Sequence, residues 1–319
     1  MRSTTDRSAV EAIGLRKSFG DNVVLDGIDL KVSEGSIFAL LGPNGAGKTT
    51  TVRILSTLIC ADGGEVRVGG HDLVQKPDAV RELIGVTGQF SAVDNLLTGE
   101  ENLNLMADLR HLKRTEGRRR TAELLEQFDL VEEARKPAAT YSGGMRRRLD
   151  LAMTLVGDPR IIFLDEPTTG LDPRSRRTMW RIIRDLVAGG VTIFLTTHYL
   201  EEADRLADQV AVIDHGRLIA QGTSSELKRL LPGGHISLQF VDLQGLESAA
   251  SVLGESTRKA DALTLQIPSD GGVQSLRALL DRLDSASIEV DSLAVHTPDL
   301  DDVFLALTGP FDSERQPIR

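Results

Sequence analysis

Apolar positions follow two rhythms along the chain, one of period two or continuous and one of helical spacing, and their order predicts the elements. From Ala12 to about Val68 short apolar runs broken by turns read as β-structure, with Val23–Leu25 and Ile28–Val32 as short strands. Ser36–Leu41 is nearly continuous apolar, as a strand buried on both faces requires, and it ends at a glycine-rich turn. Thr49–Leu58 then has helical spacing. From about Thr98 to Gly157 the pattern is mostly helical, with Thr98 placed as an N-cap and Glu100 and Glu101 in the first turn. Ala122, Leu125 and Phe128 mark one apolar stripe in this stretch, and Arg118–Arg120 a solvated face. Beyond Gly157 the alternation of strand and helix resumes: Ile161–Leu164 and Thr192–Thr196 predict buried strands, and Val210–Ile213 opens a last pair. Strands alternating with helices predict a parallel sheet covered on both sides, with residues 98–157 inserted as a separate helical lobe.

Around Leu231-Pro-Gly-Gly the character shifts. Strands at 236–241, 262–267 and 288–295 alternate with helices at 246–253, 273–283 and 300–307. Val273, Leu276, Leu280 and Leu283 repeat at roughly 3.6 residues, and Thr297-Pro298 followed by Asp299, Asp301 and Asp302 forms a helix start. The expected organisation is a flexible terminus at 1–11, an α/β domain at 12–231 with its helical subdomain at about 90–158, a small α+β domain at 235–310, and a flexible tail at 311–319.

Composition narrows the function. The net charge of the 319 residues is −10, which argues against a broad basic face for nucleic acid. One cysteine, Cys60, rules out an internal disulfide framework and a cysteine zinc site, and its expected place is the core. No stretch approaches the roughly 18 to 20 apolar residues of a spanning helix, and the first ten residues lack the apolar segment of a secretion signal. The expectation is a chain in a reducing compartment, cytosolic or held at a membrane by contact with something else.

Gly42-Pro43-Asn44-Gly45-Ala46-Gly47-Lys48-Thr49 matches the G-x-x-x-x-G-K-[ST] phosphate loop between a buried strand and a helix. Glycines let successive N–H groups face a phosphate chain, the helix N-terminus adds positive charge, Lys48 reaches the terminal phosphates and Thr49 reaches Mg²⁺. Ile161-Ile-Phe-Leu-Asp165-Glu166 delivers Asp165 to the C-terminal end of a strand, where it would hold Mg²⁺, and Glu166 one residue on, where it would polarise an attacking water. Three other pieces have plainer readings when taken singly. Ser142-Gly143-Gly144 opens a helix but is also a common loop, His198 after a buried strand suits a structural histidine, and Gln89 suits a polar loop residue.

Taken together, in order, with Gly170-Leu-Asp172 added, these pieces resemble the ATP-binding cassette family from about Ala12 to Leu227. That resemblance implies a P-loop core with a mixed, mainly parallel sheet, and a nucleotide-binding subunit that dimerises head to tail around two ATP molecules. Lys48 and Thr49 of one copy would face Ser142–Gly144 of the other, and Thr50 would join the loop in binding nucleotide. Gln89 would bridge Mg²⁺ and the partner contacts, Asp172 would couple the two sites, His198 would contact the terminal phosphate and Phe19 would stack on adenine. The usual Leu-Ser-Gly-Gly-Gln signature is altered here at both ends, to Tyr141 and Met145. Tyr-Ser-Gly-Gly-Met-Arg-Arg-Arg-Leu and the segment 297–304 are similar to the daunorubicin-resistance branch. The branch implies export of a drug or antibiotic through a separate membrane-spanning subunit, with this chain peripheral on the cytoplasmic side and its C-terminal domain serving dimer stability or docking to the partner; a plain packing domain is the equal alternative for that domain. A soluble ATPase of the same class, working on nucleic acid or ribosomes, is the alternative. A P-loop kinase would leave Ser142–Gly144 and His198 unexplained.

Overall fold

A computed structural model describes residues 8–308 except Phe90, 231–233, Glu255, 260–261, 270–271 and 297–298. The expected helix start at Thr297-Pro298, the tail from Phe311 and residues 1–7 lie outside the described residues, whereas residues 8–11 of the terminus expected to be flexible belong to a strand. The chain divides into two compact units, Met1–Ser224 and Ser225–Arg319.

The first unit opens with strands β1 (Ser8–Phe19) and β2 (Asn22–Ser33), paired antiparallel. The two short strands expected at 23–25 and 28–32 are one strand. Gly27, at φ 76°, sits where the pairing jumps from Leu15↔Ile28 to Arg16↔Asp26. Its turn-like chemistry therefore makes a bulge within the strand and does not end it. Next come β3 (Ile37–Leu41), α1 (Lys48–Leu55), β4 (Gly63–Val68), β5 (His71–Asp72), α2 (Pro77–Leu83) and β6 (Ile84–Thr87). The helical lobe is α3 (Gly99–Leu109), α4 (Arg114–Gln127) and α5 (Gly143–Thr154). The core resumes with β7 (Ile161–Asp165), α6 (Pro173–Ala188), β8 (Thr192–Thr197), α7 (Leu200–Leu206), β9 (Gln209–Asp214) and β10 (Arg217–Gly222), and the short α8 (Ser224–Lys228) begins at the boundary with the second unit.

Two sheets result: a four-stranded antiparallel sheet ordered β2-β1-β4-β5, and a six-stranded sheet ordered β10-β9-β3-β8-β7-β6. In the second every pair is parallel except the β9–β10 hairpin. The mixed, mainly parallel architecture matches the expectation from the sequence. Parallel register places Phe38, Phe194 and Phe163 abreast on β3, β8 and β7. The Phe38 and Phe194 rings stack with centroids 5.3 Å apart, and Phe163 meets Phe194 tilted, with centroids 5.7 Å apart. All three pack with Leu15, Leu25 and Ile28 of the antiparallel sheet, which closes one face of the core. Phe194→Ala should remove about 3–5 kcal/mol of stability, read as a shifted denaturant midpoint at unchanged slope.

In the lobe, Thr98 and Glu101 form a full capping box at the start of α3. The apolar stripe of α4 is shifted from the one the spacing suggests. Ala122 is exposed, and Gly117, Thr121, Leu124 and Leu125 are buried, followed by Phe128. Cys60 is also exposed, contrary to expectation. It lies in the loop between α1 and β4, where its neighbours Ile59 and Ala61 pack against the core and Cys60 between them faces outward.

The second unit contains β11 (His235–Gln239), α9 (Leu243–Leu253), β12 (Thr257–Lys259), β13 (Thr264–Pro268), α10 (Val273–Ser285), β14 (Ser292–His296) and α11 (Leu300–Thr308). Its sheet, ordered β12-β13-β11-β14 and antiparallel throughout, has the split β-α-β arrangement of an α+β domain. Helix α10 buries Leu279 and Leu283 and half-buries Leu276, whereas Val273 and Leu280 of the expected face are exposed. Ile288 and Val290 pack on this core without joining a strand, so β14 is shorter than the apolar run that predicts it.

Candidate functional site

Strand β3 is buried along its whole length and ends at Gly42. A Cβ on Gly42 would lie 2.3 Å from the Ile213 carbonyl oxygen, and one on Gly47, at φ 109°, 2.5 Å from Leu25 Cδ2. Only glycine fits either place, and the loop can therefore curl tightly into the first turn of α1. Lys48, 5% exposed, folds back so that its Nζ donates to the carbonyls of Gly42 at 2.7 Å and Pro43 at 3.1 Å. The same Nζ lies 3.7 Å from Glu166 Oε1. Burial pulls the Lys48 pKa below the ordinary lysine value, and the charges of Glu166 and Asp165 oppose that.

Strand β7 carries Asp165 to the same edge of the sheet. Its Oδ1 accepts from Thr49 Oγ1 at 3.3 Å and from Thr196 Oγ1 at 2.5 Å. Glu166 follows with a left-handed backbone, φ 49°, a conformation unusual for a side chain other than glycine. Its N–H donates to the Thr196 carbonyl and lies 3.1 Å from the Thr196 hydroxyl as well. The turn aims the carboxylate sideways: Oε1 is 3.2 Å from His198 Nδ1, and Oε2 accepts from Thr169 Oγ1 at 3.2 Å. Glu166 thus sits between Lys48 and His198.

Lys48, Glu166, Thr169 and His198 line one cavity of about 690 Å³ together with Phe19 and Gln89. Asn44, Gly45, Gly47, Thr49 and Thr50 complete its floor, while Gly42 and Ala46 are buried beneath the loop. Phe19 is 51% exposed, with Lys17 Nζ 5.3 Å from its ring centre. The volume falls in the range of small-molecule and cofactor sites.

Ser142, Gly143, Gly144 and Asp172 do not line this cavity. Ser142 caps α5 by accepting from the Met145 N–H at 3.2 Å. Asp172 caps α6 by accepting from the N–H groups of Arg174 and Ser175, each at 3.0 Å, and from Ser175 Oγ at 2.6 Å. The Ser175 hydroxyl holds the Asp172 carboxyl below the usual carboxylate range. The two caps adjoin, since a Cβ on Gly144 would meet Ser175 Oγ at 2.4 Å. They form a second, exposed cluster at two helix N-termini. Tyr141 beside it is buried, its hydroxyl donating to the Glu133 carbonyl at 2.7 Å, so the aromatic ring anchors the lobe.

Sequence reading passed over Thr196 and Thr169, which hold Asp165 and Glu166. The Thr196-Thr197-His198 run, three polar residues at the end of an apolar strand, was the available signal.

Comparison with known proteins bears on the whole chain. Residues 25–169 match the family described as ABC transporter. The daunorubicin/doxorubicin resistance ATP-binding protein DrrA of Streptomyces peucetius is 47% identical over 312 residues, covering 96% of this chain and 94% of that one. The doxorubicin resistance ATP-binding protein DrrA of Mycobacterium tuberculosis is 45% identical, covering 95% of this chain and 94% of that one. A solved ATP-binding subunit of an ABC transporter superposes with a TM-score of 0.63 at 29% identity, covering 70% of this chain and 93% of that one. With a phosphate-loop cavity of this construction and likeness at this level along nearly its full length, the chain belongs to the ABC transporter family as an ATP-binding ATPase subunit.

Proposed function

We propose that this chain is the ATPase of a drug or antibiotic export system, working as a homodimer on the cytoplasmic face of a separate membrane-spanning subunit. The observation that carries the reading is the convergence of Lys48, Thr49, Glu166 and His198 on one cavity, in a chain akin over both its units to drug-resistance ATP-binding proteins. No helix among the described residues is long and apolar enough to cross a membrane. The soluble alternative is not favoured: the relatives are resistance proteins, and a net charge of −10 suits nucleic acid poorly.

In this reading the phosphate-loop N–H groups and Lys48 bind the terminal phosphates of ATP, and Phe19 takes the adenine ring. Thr49, Asp165 and Gln89 supply oxygen donors of the kind Mg²⁺ accepts, and Thr49 Oγ1 and Asp165 Oδ1 already lie 3.3 Å apart. The bound ion would neutralise charge on the phosphates. Glu166 orients a water and takes its proton, while His198 holds the Glu166 carboxylate and faces the phosphate. The exposed half-site of Ser142–Gly144 and Asp172 serves the nucleotide of the second copy, which accounts for its place outside this chain's own cavity.

The test is a pull-down of the tagged chain carrying Glu166→Gln from detergent-solubilised membranes in Mg-ATP. One stoichiometric multi-spanning protein is the expected companion. A nucleotide-bound soluble dimer with nothing from the membrane would reject the transporter reading.

A further inference from the structure

Arg147, on the first turns of α5, is a largely buried guanidinium to which no contact with nucleotide is assigned, yet every one of its N–H groups is committed. Nε donates to the Pro167 carbonyl at 3.0 Å. Nη1 donates to the Gly88 carbonyl at 2.8 Å and to Asp150 Oδ2 at 3.2 Å. Nη2 donates to the carbonyls of Asp165 at 3.0 Å and Glu166 at 3.3 Å. Five donors in a planar fork meet four backbone carbonyls and one carboxylate, a set that the three donors of a lysine ammonium cannot reproduce. The side chains of Arg147 and Asp150 are 11% and 4% exposed, so the pair works away from solvent.

Three of the four carbonyls belong to consecutive residues, 165 to 167, and the middle one is the left-handed Glu166. A left-handed non-glycine residue persists only where its surroundings over-determine it. Thr196 fixes the Glu166 N–H from the β8 side, and Arg147 fixes its carbonyl and both neighbours from the lobe side. The fourth carbonyl, Gly88, immediately precedes Gln89, while Asp150 Oδ1 accepts from the Ala92 N–H at 3.0 Å. The Arg147–Asp150 pair therefore grips the Gln89 segment at both ends as well as the turn that aims Glu166.

We propose that Arg147, seated by Asp150, is a positioning residue for hydrolysis. It holds the Glu166 turn and the Gln89 segment in one fixed relation to the helix that Ser142 caps, so that a movement of the lobe is felt at the Glu166 carboxylate. This rests on the assignment of Glu166 as the group that orients the attacking water.

The test compares Arg147→Gln, Arg147→Lys and the pair Arg147→Gln with Asp150→Asn against the native full chain, in the preparation in which the native chain turns over ATP. The paired variant leaves no buried charge without its partner and serves if Arg147→Gln alone melts below the assay temperature. Turnover should fall at least tenfold in all three, including the lysine variant, with the Kd for ATP held within about threefold. Arg147→Gln placed in a Glu166→Gln background should cost no further residual turnover in single-turnover conditions, because Arg147 acts through Glu166. A purely structural arginine would lower that residual rate again. Turnover within twofold of native in a folded Arg147→Gln or paired variant, or an additive loss in the Glu166→Gln background, overturns the proposal. Near-native turnover by Glu166→Gln alone would instead reject the assignment of Glu166.

Discussion

Glu166→Gln is expected to lower kcat by about two to four orders of magnitude while leaving ATP affinity unchanged or tighter. The amide has the shape of the carboxylate and can sit in the same left-handed turn, so the contacts from Thr196 and Arg147 to the backbone survive. What is lost is a proton acceptor. The other groups lining the cavity do not replace it: Lys48 carries only donors, and His198 is engaged with Glu166 through Nδ1. Removing a negative charge 3.7 Å from Lys48 also leaves the site more positive toward phosphate, which favours binding. Phosphate release and calorimetric titration check the two halves separately. A kcat within tenfold of native would move the base to another residue.

Lys48→Ala is expected to weaken ATP binding by about tenfold to a hundredfold, the worth of a charge-assisted hydrogen bond of about 1.5–3 kcal/mol. The fold should not suffer in parallel. The folded chain holds the Lys48 pKa below its unfolded value because the ammonium is buried. A lowered lysine pKa means that the unfolded chain binds the proton more readily, so the charged side chain penalises the native state at neutral pH. That penalty fades only as pH rises above the folded value. Alanine removes it. A melting temperature unchanged or raised, together with lost affinity, is the expected signature, and a chain that both melts early and fails to bind would assign Lys48 a structural role instead.

The parts legible in the sequence are those whose chemistry is local. The phosphate loop is contiguous, and the strands on either side of it are plain apolar runs, so Gly42–Thr50, Asp165 and Glu166 can be placed without coordinates. Arg147 could not be found this way. In the sequence it is the middle of three arginines on a helix, and its meaning comes from carbonyls at 88 and at 165–167, brought to it by tertiary folding. Gly27 shows the limit at the scale of one residue, where turn chemistry is indistinguishable from bulge chemistry until the partner strand is known. On α10 the choice between Leu279 and Leu280 depended on helix phase, which adjacent leucines leave undefined.

The left-handed backbone at Glu166 has a consequence for how the chain can decay in evolution. Side chains other than glycine pay roughly 1 kcal/mol or more for that geometry, so the folded state would gain by giving the position to glycine. Cellular quality control reads stability and not turnover. Loss of the carboxylate is therefore a change that proteases and chaperones would reward with undiminished abundance, and only selection on efflux itself can keep Glu166 in place.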